Sequence, residues 1–251
     1  SLIGTLNALL QSAYNVRDLW SVDTWRVVDD IDENLQYLSS NKTRFSVLQT
    51  ELDSLLASLM AFTAQTQESL PHEHGWYLLN IGRRLERALQ LITFVRTCFV
   101  RYSGEVPEHL MLEATLVNHE SLITHRRRYR SVQHMFTVLD LMLLDTRHPR
   151  SLAYQVDKIM ALMAELPQLT PSHHLSREQR LILQASTEIK LAEVEKLANI
   201  SDEQGSRRSL AKLLDSVERR LGKVSGLLHQ KYFTHTQSAR QLAPTKLELP
   251  A

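Results

Sequence analysis

The sequence predicts an all-α protein, an elongated multi-helix bundle of about eight helices. Only seven glycines and seven prolines interrupt its 251 residues, and between them apolar residues recur at intervals of three and four, the period of a helix packed on one face. The helices are expected at roughly 2–20, 22–39, 43–70, 75–102, 108–146, 150–166, 176–200 and 205–233. The simplest organisation is a single domain over residues 1–238 with a flexible tail over 239–251.

The charge and cysteine content exclude several classes of function. The 29 basic and 28 acidic residues leave a net charge of +1, so no global field would draw the chain to nucleic acid or to an anionic membrane. Cys98 is the only cysteine, which excludes an intrachain disulfide framework and fits a reducing compartment. The sequence contains no run of about 18 uncharged apolar residues, the length needed to cross a bilayer. We therefore expect a cytoplasmic protein that binds neither nucleic acid nor membrane.

The predicted helix over 75–102 carries charges close to its buried face. Its apolar stripe consists of Leu78, Ile81, Leu85, Leu89, Ile92 and Phe99. Helical geometry places Arg96 in the middle of that stripe and Arg84 and Glu86 at its two margins, from which they would reach neighbouring helices. Because an unpaired buried charge costs several kcal/mol, partners for these side chains are expected.

The predicted helix over 108–146 offers such partners. Its buried seam is expected to contain two sets of residues with a seven-residue spacing, namely Leu122, Tyr129, Phe136 and Leu143, and His125, Val132 and Leu139. Arg126, Gln133 and Asp140 follow the same spacing beside the seam. This polar lane could pair with Arg84 and Glu86 in a network inside the bundle, or it could line a cleft that holds an anionic ligand.

Motifs for metals, phosphates and nucleic acid are missing from the sequence. It contains neither His-Glu-x-x-His nor Glu-x-x-His, and it has no glycine-rich phosphate loop. The basic run from His125 to Arg130 does not predict a nucleic-acid surface, because successive helical residues point about 100° apart. We therefore predict no metal site and no cofactor in this chain.

Four stretches of sequence carry a family resemblance. The first is Gly82-Arg83-Arg84-Leu85-Glu86-Arg87-Ala88, preceded by Gly75-Trp76. The others are Val16-Arg17 through Asp23 to Trp25-Arg26, then Arg126-Arg127-Arg128-Tyr129, and finally Val138-Leu139-Asp140-Leu141 through Asp145 to the segment Pro149-Arg150-Ser151-Leu152-Ala153-Tyr154-Gln155. Taken in their order along the chain, they resemble the bacterial alpha-E family, whose name comes from its Glu-Arg motif. The family's usual opening helix is absent, so a fragment of a longer protein is expected.

The resemblance implies an all-helical domain encoded beside, or fused behind, a circularly permuted ATP-grasp protein, with transglutaminase-like proteins nearby. Such a system would form or modify peptide or amide bonds, with ATP and Mg²⁺ bound only by the ATP-grasp partner. The chain would then be an accessory domain. The alternatives are an enzyme that uses Glu86 or Asp140 as general base beside an arginine-lined anion site, and a structural bundle whose role is homo-oligomerisation. The residues expected to form the site or the network are Asp23, Trp25, Arg26, Arg83, Arg84, Glu86, Arg87, Arg96, Arg126, Arg128, Tyr129, Asp140, Asp145 and Arg150.

Overall fold

The computed structural model describes residues 1–40, 45–130, 133–167, 174–202 and 205–233. The predicted all-α class is confirmed, because these ranges contain helices and no strand, apart from one isolated antiparallel bridge between Arg101 and Ser206. The α-helices are α1 (Leu2–Asn15), α2 (Val22–Ser40), α3 (Phe45–Glu68), α4 (His74–Phe99), α5 (Glu105–Asn118), α6 (Leu122–Tyr129), α7 (Met135–Leu139), α8 (Leu152–Ala164), α9 (Arg177–Lys190), α10 (Val194–Ala198) and α11 (Arg208–Tyr232). The predicted tail over 239–251 lies outside the described residues.

The chain divides into two compact units, Ser1–Leu79 and Asn80–Ala251. In the first unit α1, α2 and α3 share a core made of Leu6, Leu10, Ala13, Val28, Ile31, Leu35, Leu55 and Phe62. The spacing of these residues gives each helix one buried face. The first helix was predicted to reach residue 20 but ends at Asn15, where a 3₁₀ turn over Arg17–Leu19 follows. The turn lets the indole Nε1 of Trp20 donate to the carbonyl of Ala13 at 2.9 Å.

In the second unit α9 packs against both α8 and α11. The fully buried side chains of these helices include Val156, Ile159, Ile182, Val217 and Val224. The helix predicted over 176–200 ends early, because α9 stops at Lys190 and the chain turns before α10. The turn brings α10 against α7 and α11 and buries Leu197.

The prediction of a single helix over residues 108–146 is wrong. Glu120 and Arg130 adopt positive φ angles of 51° and 62°, a left-handed backbone that an α-helix cannot accommodate. The region forms α5, α6 and α7, followed by a π-helix over Asp140–Leu144. The seven-residue lane therefore does not follow one helix face, and Phe136 is 46% exposed instead of buried. Val132 lies outside the described residues.

A buried arginine joins three parts of the second unit. Arg207, just before α11, is 2% exposed. Its guanidinium donates to the carbonyls of Phe99 and Ala198, each at 2.9 Å, and to the carboxylate of Glu108 at 2.6 Å. Because every nitrogen of this guanidinium has an acceptor, the buried charge is compensated.

Candidate functional site

Arg83, Arg84 and Arg87 lie within one turn of α4. Arg84 is half-buried and reaches α8, where its Nη1 donates to Oε1 of Gln155 at 3.3 Å. Its guanidinium carbon lies 5.6 Å from the centre of the Tyr154 ring. Its Nε is buried and has no hydrogen-bond partner in the described part of the chain. Arg84 therefore has one buried donor that the described residues leave unsatisfied.

Gln155 connects Arg84 to the loop that carries Arg150. Gln155 is 1% exposed, and its Nε2 donates to the carbonyl of Pro149. At the other end of the loop, Oδ1 of Asp145 accepts the backbone N–H groups of the second and third residues that follow it. These bonds hold Arg150 in place relative to the arginines of α4.

Arg150 forms an ion pair with Glu120, in the turn between α5 and α6. Its Nη2 lies 2.7 Å from Oε2 of Glu120, and the two side chains are 41% and 78% exposed. The neighbouring Ser121 is fully buried. Its hydroxyl donates to the carbonyl of His119 at 2.8 Å and lies 2.7 Å from Nε2 of His148. Because the hydroxyl has a single proton, His148 is the donor to Ser121.

Arg83, Arg84, Arg87 and Arg150 form what we call the arginine cluster. Burial, followed by the charges of Arg87 and Arg84, lowers the pKa of Arg83. Burial, followed by the charges of Arg150 and Arg84, lowers the pKa of Arg87. Guanidinium groups stay protonated at neutral pH, so these lowered pKa values reflect burial first and repulsion between neighbouring cations second. The cluster therefore brings four guanidinium groups together, an environment that favours an anion, and the Glu120 carboxylate already pairs with one of them, Arg150.

Two histidines beside the cluster are neutral at pH 7. Burial lowers the pKa of His119, and the charge of Arg150 lowers it further, against the opposing effect of the hydrogen bond to the Thr115 carbonyl. Burial also lowers the pKa of His148, with contributions from the charges of Arg128 and Arg150 and from His119. At neutral pH the positive charge of the site therefore comes from its arginines.

A second polar group surrounds Asp140, where the π-helix begins. The hydroxyl of Tyr129 donates to Oδ2 of Asp140, and burial together with this bond raises the pKa of Tyr129. The ring of Tyr129 lies 5.0 Å from that of His125, whose Nε2 bonds to Oγ1 of Thr137 at 2.8 Å. Asp140 thus holds Tyr129 in place, and no contact with Arg84 or Glu86 is found among the described residues.

Two arginines of the basic run behave differently from each other. Arg128 forms an ion pair with Asp145, whose side chain is 10% exposed, and so connects α6 to the loop that carries Arg150. Arg126 is exposed and makes no ion pair within the described ranges. The predicted lane of Arg126, Gln133 and Asp140 is therefore not formed, because the helix break at Arg130 interrupts its seven-residue spacing.

Arg96 lies at the edge of the buried face of α4, not in its middle as predicted. The centre of that face is formed by Ala88, Ile92 and Val95, all fully buried. The side chain of Arg96 is 30% exposed and pairs with Asp215 at 2.9 Å and Glu218 at 2.6 Å, both on α11. The hydrogen bond to Glu218 contributes most to raising the pKa of Arg96.

Asp23, Trp25 and Arg26 make local contacts within the first unit. Arg26 and Asp23 are 3.2 Å apart and both largely exposed. The Trp25 ring packs edge-on against Tyr14 at 5.0 Å, and the guanidinium of Arg17 lies 4.8 Å from its centre.

The described residues offer little support for other chemistries. No group of three or more His, Cys, Asp or Glu side chains among them could hold a metal ion. Cys98 is half-buried, and burial raises the pKa of its thiol, which disfavours a reactive thiolate. None of the helices in the described ranges has the length and apolar content needed to cross a membrane.

The family model called Alpha-E, described as a predicted alpha-helical domain with a conserved ER motif, matches residues 1–233. This chain belongs to the Alpha-E family. An uncharacterized protein of Mycobacterium tuberculosis is 31% identical over 232 residues, which cover 91% of this chain and 26% of that protein. An uncharacterized protein of Mycobacterium bovis matches with the same identity and coverage. The chain therefore spans about a quarter of the length of these curated relatives. No solved structure matches it.

In this Alpha-E domain Glu86 and Arg87 are the adjacent glutamate and arginine of the predicted motif, and they have different surroundings. Arg87 belongs to the arginine cluster. Glu86 is exposed and accepts a hydrogen bond from Gln90, on its own helix, at 2.9 Å. The expectation that Glu86 reaches a neighbouring helix is wrong, because its position on α4 points away from the buried face.

Sequence reasoning missed four residues of this Alpha-E site: Glu120, Ser121, His148 and Gln155. Gln155 lies in a stretch that carried the family resemblance, but the sequence does not show that its side chain connects Arg84 to the loop of Arg150. The polar run His119-Glu120-Ser121 interrupts an apolar helical pattern. That interruption was the available signal for a turn at Glu120.

Proposed function

We propose that this Alpha-E domain is an accessory binding domain that holds an acidic group of a substrate or partner at the arginine cluster. The observation that carries the proposal is the grouping of Arg83, Arg84, Arg87 and Arg150, in which Arg84 has a buried Nε without a hydrogen-bond partner in the described part of the chain. The position of Arg84 supports it as well, since Gln155 connects Arg84 to the loop that carries Arg150. Preorganised guanidinium groups recognise carboxylates and phosphates at low entropic cost.

The context that the family resemblance implies defines the finer part of the proposal. In it, the domain works with a circularly permuted ATP-grasp ligase, fused or adjacent, in a system that forms or modifies peptide or amide bonds. ATP and Mg²⁺ are bound by that ligase, and a transglutaminase-like protein belongs to the same system. In support, the matched region makes up 26% of each relative, so in those proteins the domain is one part of a larger chain.

Anion binding is tested by titrating the protein with a glutamate-rich peptide in a calorimeter. Replacing Arg87 with alanine removes one charged contact, so the affinity should fall about tenfold. The matched control is Arg219→Ala, which removes the same charge from an exposed position on α11 and should leave the affinity unchanged. Equal effects of the two substitutions, or no binding by the unaltered protein, would contradict the proposed site.

The partnership is tested separately by copurification with the ATP-grasp protein encoded beside or fused to the domain. We expect a stable association, or a change in ligase turnover when the domain is added. If neither is observed with the intact proteins, the partnership is refuted, whatever the outcome of the anion titration.

A further inference from the structure

Glu120 is much more exposed than the carboxylates that pair with Arg207 and Lys231 in this unit. Its side chain is 78% exposed although it lies 2.7 Å from Arg150. The carboxylate that pairs with Arg207 is 18% exposed, and the one that pairs with Lys231 is 11% exposed. Exposed ion pairs contribute about 0–1 kcal/mol. The Glu120 carboxylate can therefore leave Arg150 at small cost.

The backbone of the Glu120 turn is fixed independently of that carboxylate. The backbone N–H groups of Glu120 and Ser121 donate to the carbonyls of Val117 at 3.0 Å and Leu116 at 2.7 Å. The buried Ser121 hydroxyl adds its contacts with the His119 carbonyl and with His148. Because none of these bonds uses the Glu120 side chain, that side chain can swing into solvent while the turn keeps its shape.

Arg150 can donate more hydrogen bonds to a carboxylate than it donates to Glu120. The contact runs through a single nitrogen, Nη2, whereas a guanidinium can bind a carboxylate through two parallel hydrogen bonds. Arg87 is close enough to Arg150 for each charge to act on the other. A ligand carboxylate that approaches from solvent could use both arginines, which favours it over the tethered Glu120.

We propose that Glu120 is an internal competitor, and that a carboxylate of an acidic peptide replaces it on Arg150 beside Arg87. This inference rests on the proposed function, because it assigns the ligand class and its position at the same arginine cluster. The ligand carboxylate can come from a glutamate or aspartate side chain or from a peptide C-terminus, since both present the same planar group. The arrangement tunes affinity, because every ligand must first displace the internal carboxylate.

The test compares the unaltered protein with Glu120→Gln, which keeps the size of the side chain but removes its charge. The probes are a tetraglutamate peptide with an amidated C-terminus, an alanine peptide with a free C-terminus, and inorganic phosphate. Removing an exposed competing pair should raise the affinity for a carboxylate probe roughly two- to fivefold. The matched control is Glu113→Gln, at an exposed position on α5, which should leave every affinity unchanged at physiological salt.

A double-mutant cycle keeps the test independent of any change in stability. In an Arg150→Gln background, Glu120→Gln should no longer raise the affinity, because the two residues act on the same contact. If the unaltered protein and Glu120→Gln bind the carboxylate probes equally, the competitor role is overturned while the anion site stands. Tighter binding of phosphate than of either peptide overturns the ligand class. If none of the probes binds either protein, the proposed function fails together with this inference.

Discussion

Replacing Arg207 with methionine should destabilise the second unit far more than the same change at Arg208. At Arg207 the change removes three donors and leaves the carbonyls of Phe99 and Ala198 and the carboxylate of Glu108 without them. Removing one partner of a buried ion pair costs about 3–5 kcal/mol, and we expect a loss in that range. For a chain of this size the melting temperature should fall by roughly 6–20 °C.

The adjacent Arg208 is the matched control for this experiment. Its side chain is 66% exposed and pairs with Asp202 at 2.9 Å, so Arg208→Met should cost less than about 1 kcal/mol. The assay is urea unfolding followed by the far-ultraviolet circular dichroism of the helices. Similar free energies of unfolding for the two variants would refute the reasoning that the burial of Arg207 makes its substitution more destabilising.

Three further predictions follow from the same contacts. Gln155→Met removes the acceptor of Arg84 Nη1 and the donor to the Pro149 carbonyl, so unfolding experiments should show a loss of about 1–3 kcal/mol, against less than about 0.5 kcal/mol for the exposed Gln184→Met. The lowered pKa of His148 means that the folded state binds fewer protons than the unfolded state. Stability should therefore fall as the pH drops below about 6.5, and His148→Gln should flatten that dependence in denaturant titrations at several pH values, whereas the exposed His109→Gln should not. Arg96→Met removes two partly exposed ion pairs, so the free energy of unfolding should fall by no more than about 1 kcal/mol. A much larger fall in urea unfolding would contradict the view that exposure makes these pairs weak.

The success and failure of sequence reasoning can be seen in α4 and in the region that follows it. The helix predicted over 75–102 is observed over His74–Phe99, because its apolar spacing is continuous and no residue in it needs an unusual backbone angle. The spacing over 108–146 is just as regular, yet Glu120 and Arg130 leave the helical region of φ. Apolar spacing reports which side chains are buried and carries no sign of a positive φ at a single residue.

Because apolar spacing does not reveal a helix break, the predicted lane of Arg126, Gln133 and Asp140 was also wrong. Arg126 and Asp140 share a face only if one helix joins them, and the backbone at Arg130 removes that condition. Glu86 was assigned to a neighbouring helix from its angle alone, but it bonds to Gln90 on its own helix. A small error in the centre of the buried face moves a side chain from the interface to solvent.

By itself the sequence determined that the chain is all-α, where most helices begin, and which motif segments make it an Alpha-E domain. Those properties follow from residues within a few turns of one another, whose spacing can be read directly. Only the tertiary structure decided that Arg84 meets Gln155, 71 residues away, and that Arg150 meets Glu120. Such pairings depend on where the chain leaves the helical conformation and turns back, and those turns are set by packing between distant segments.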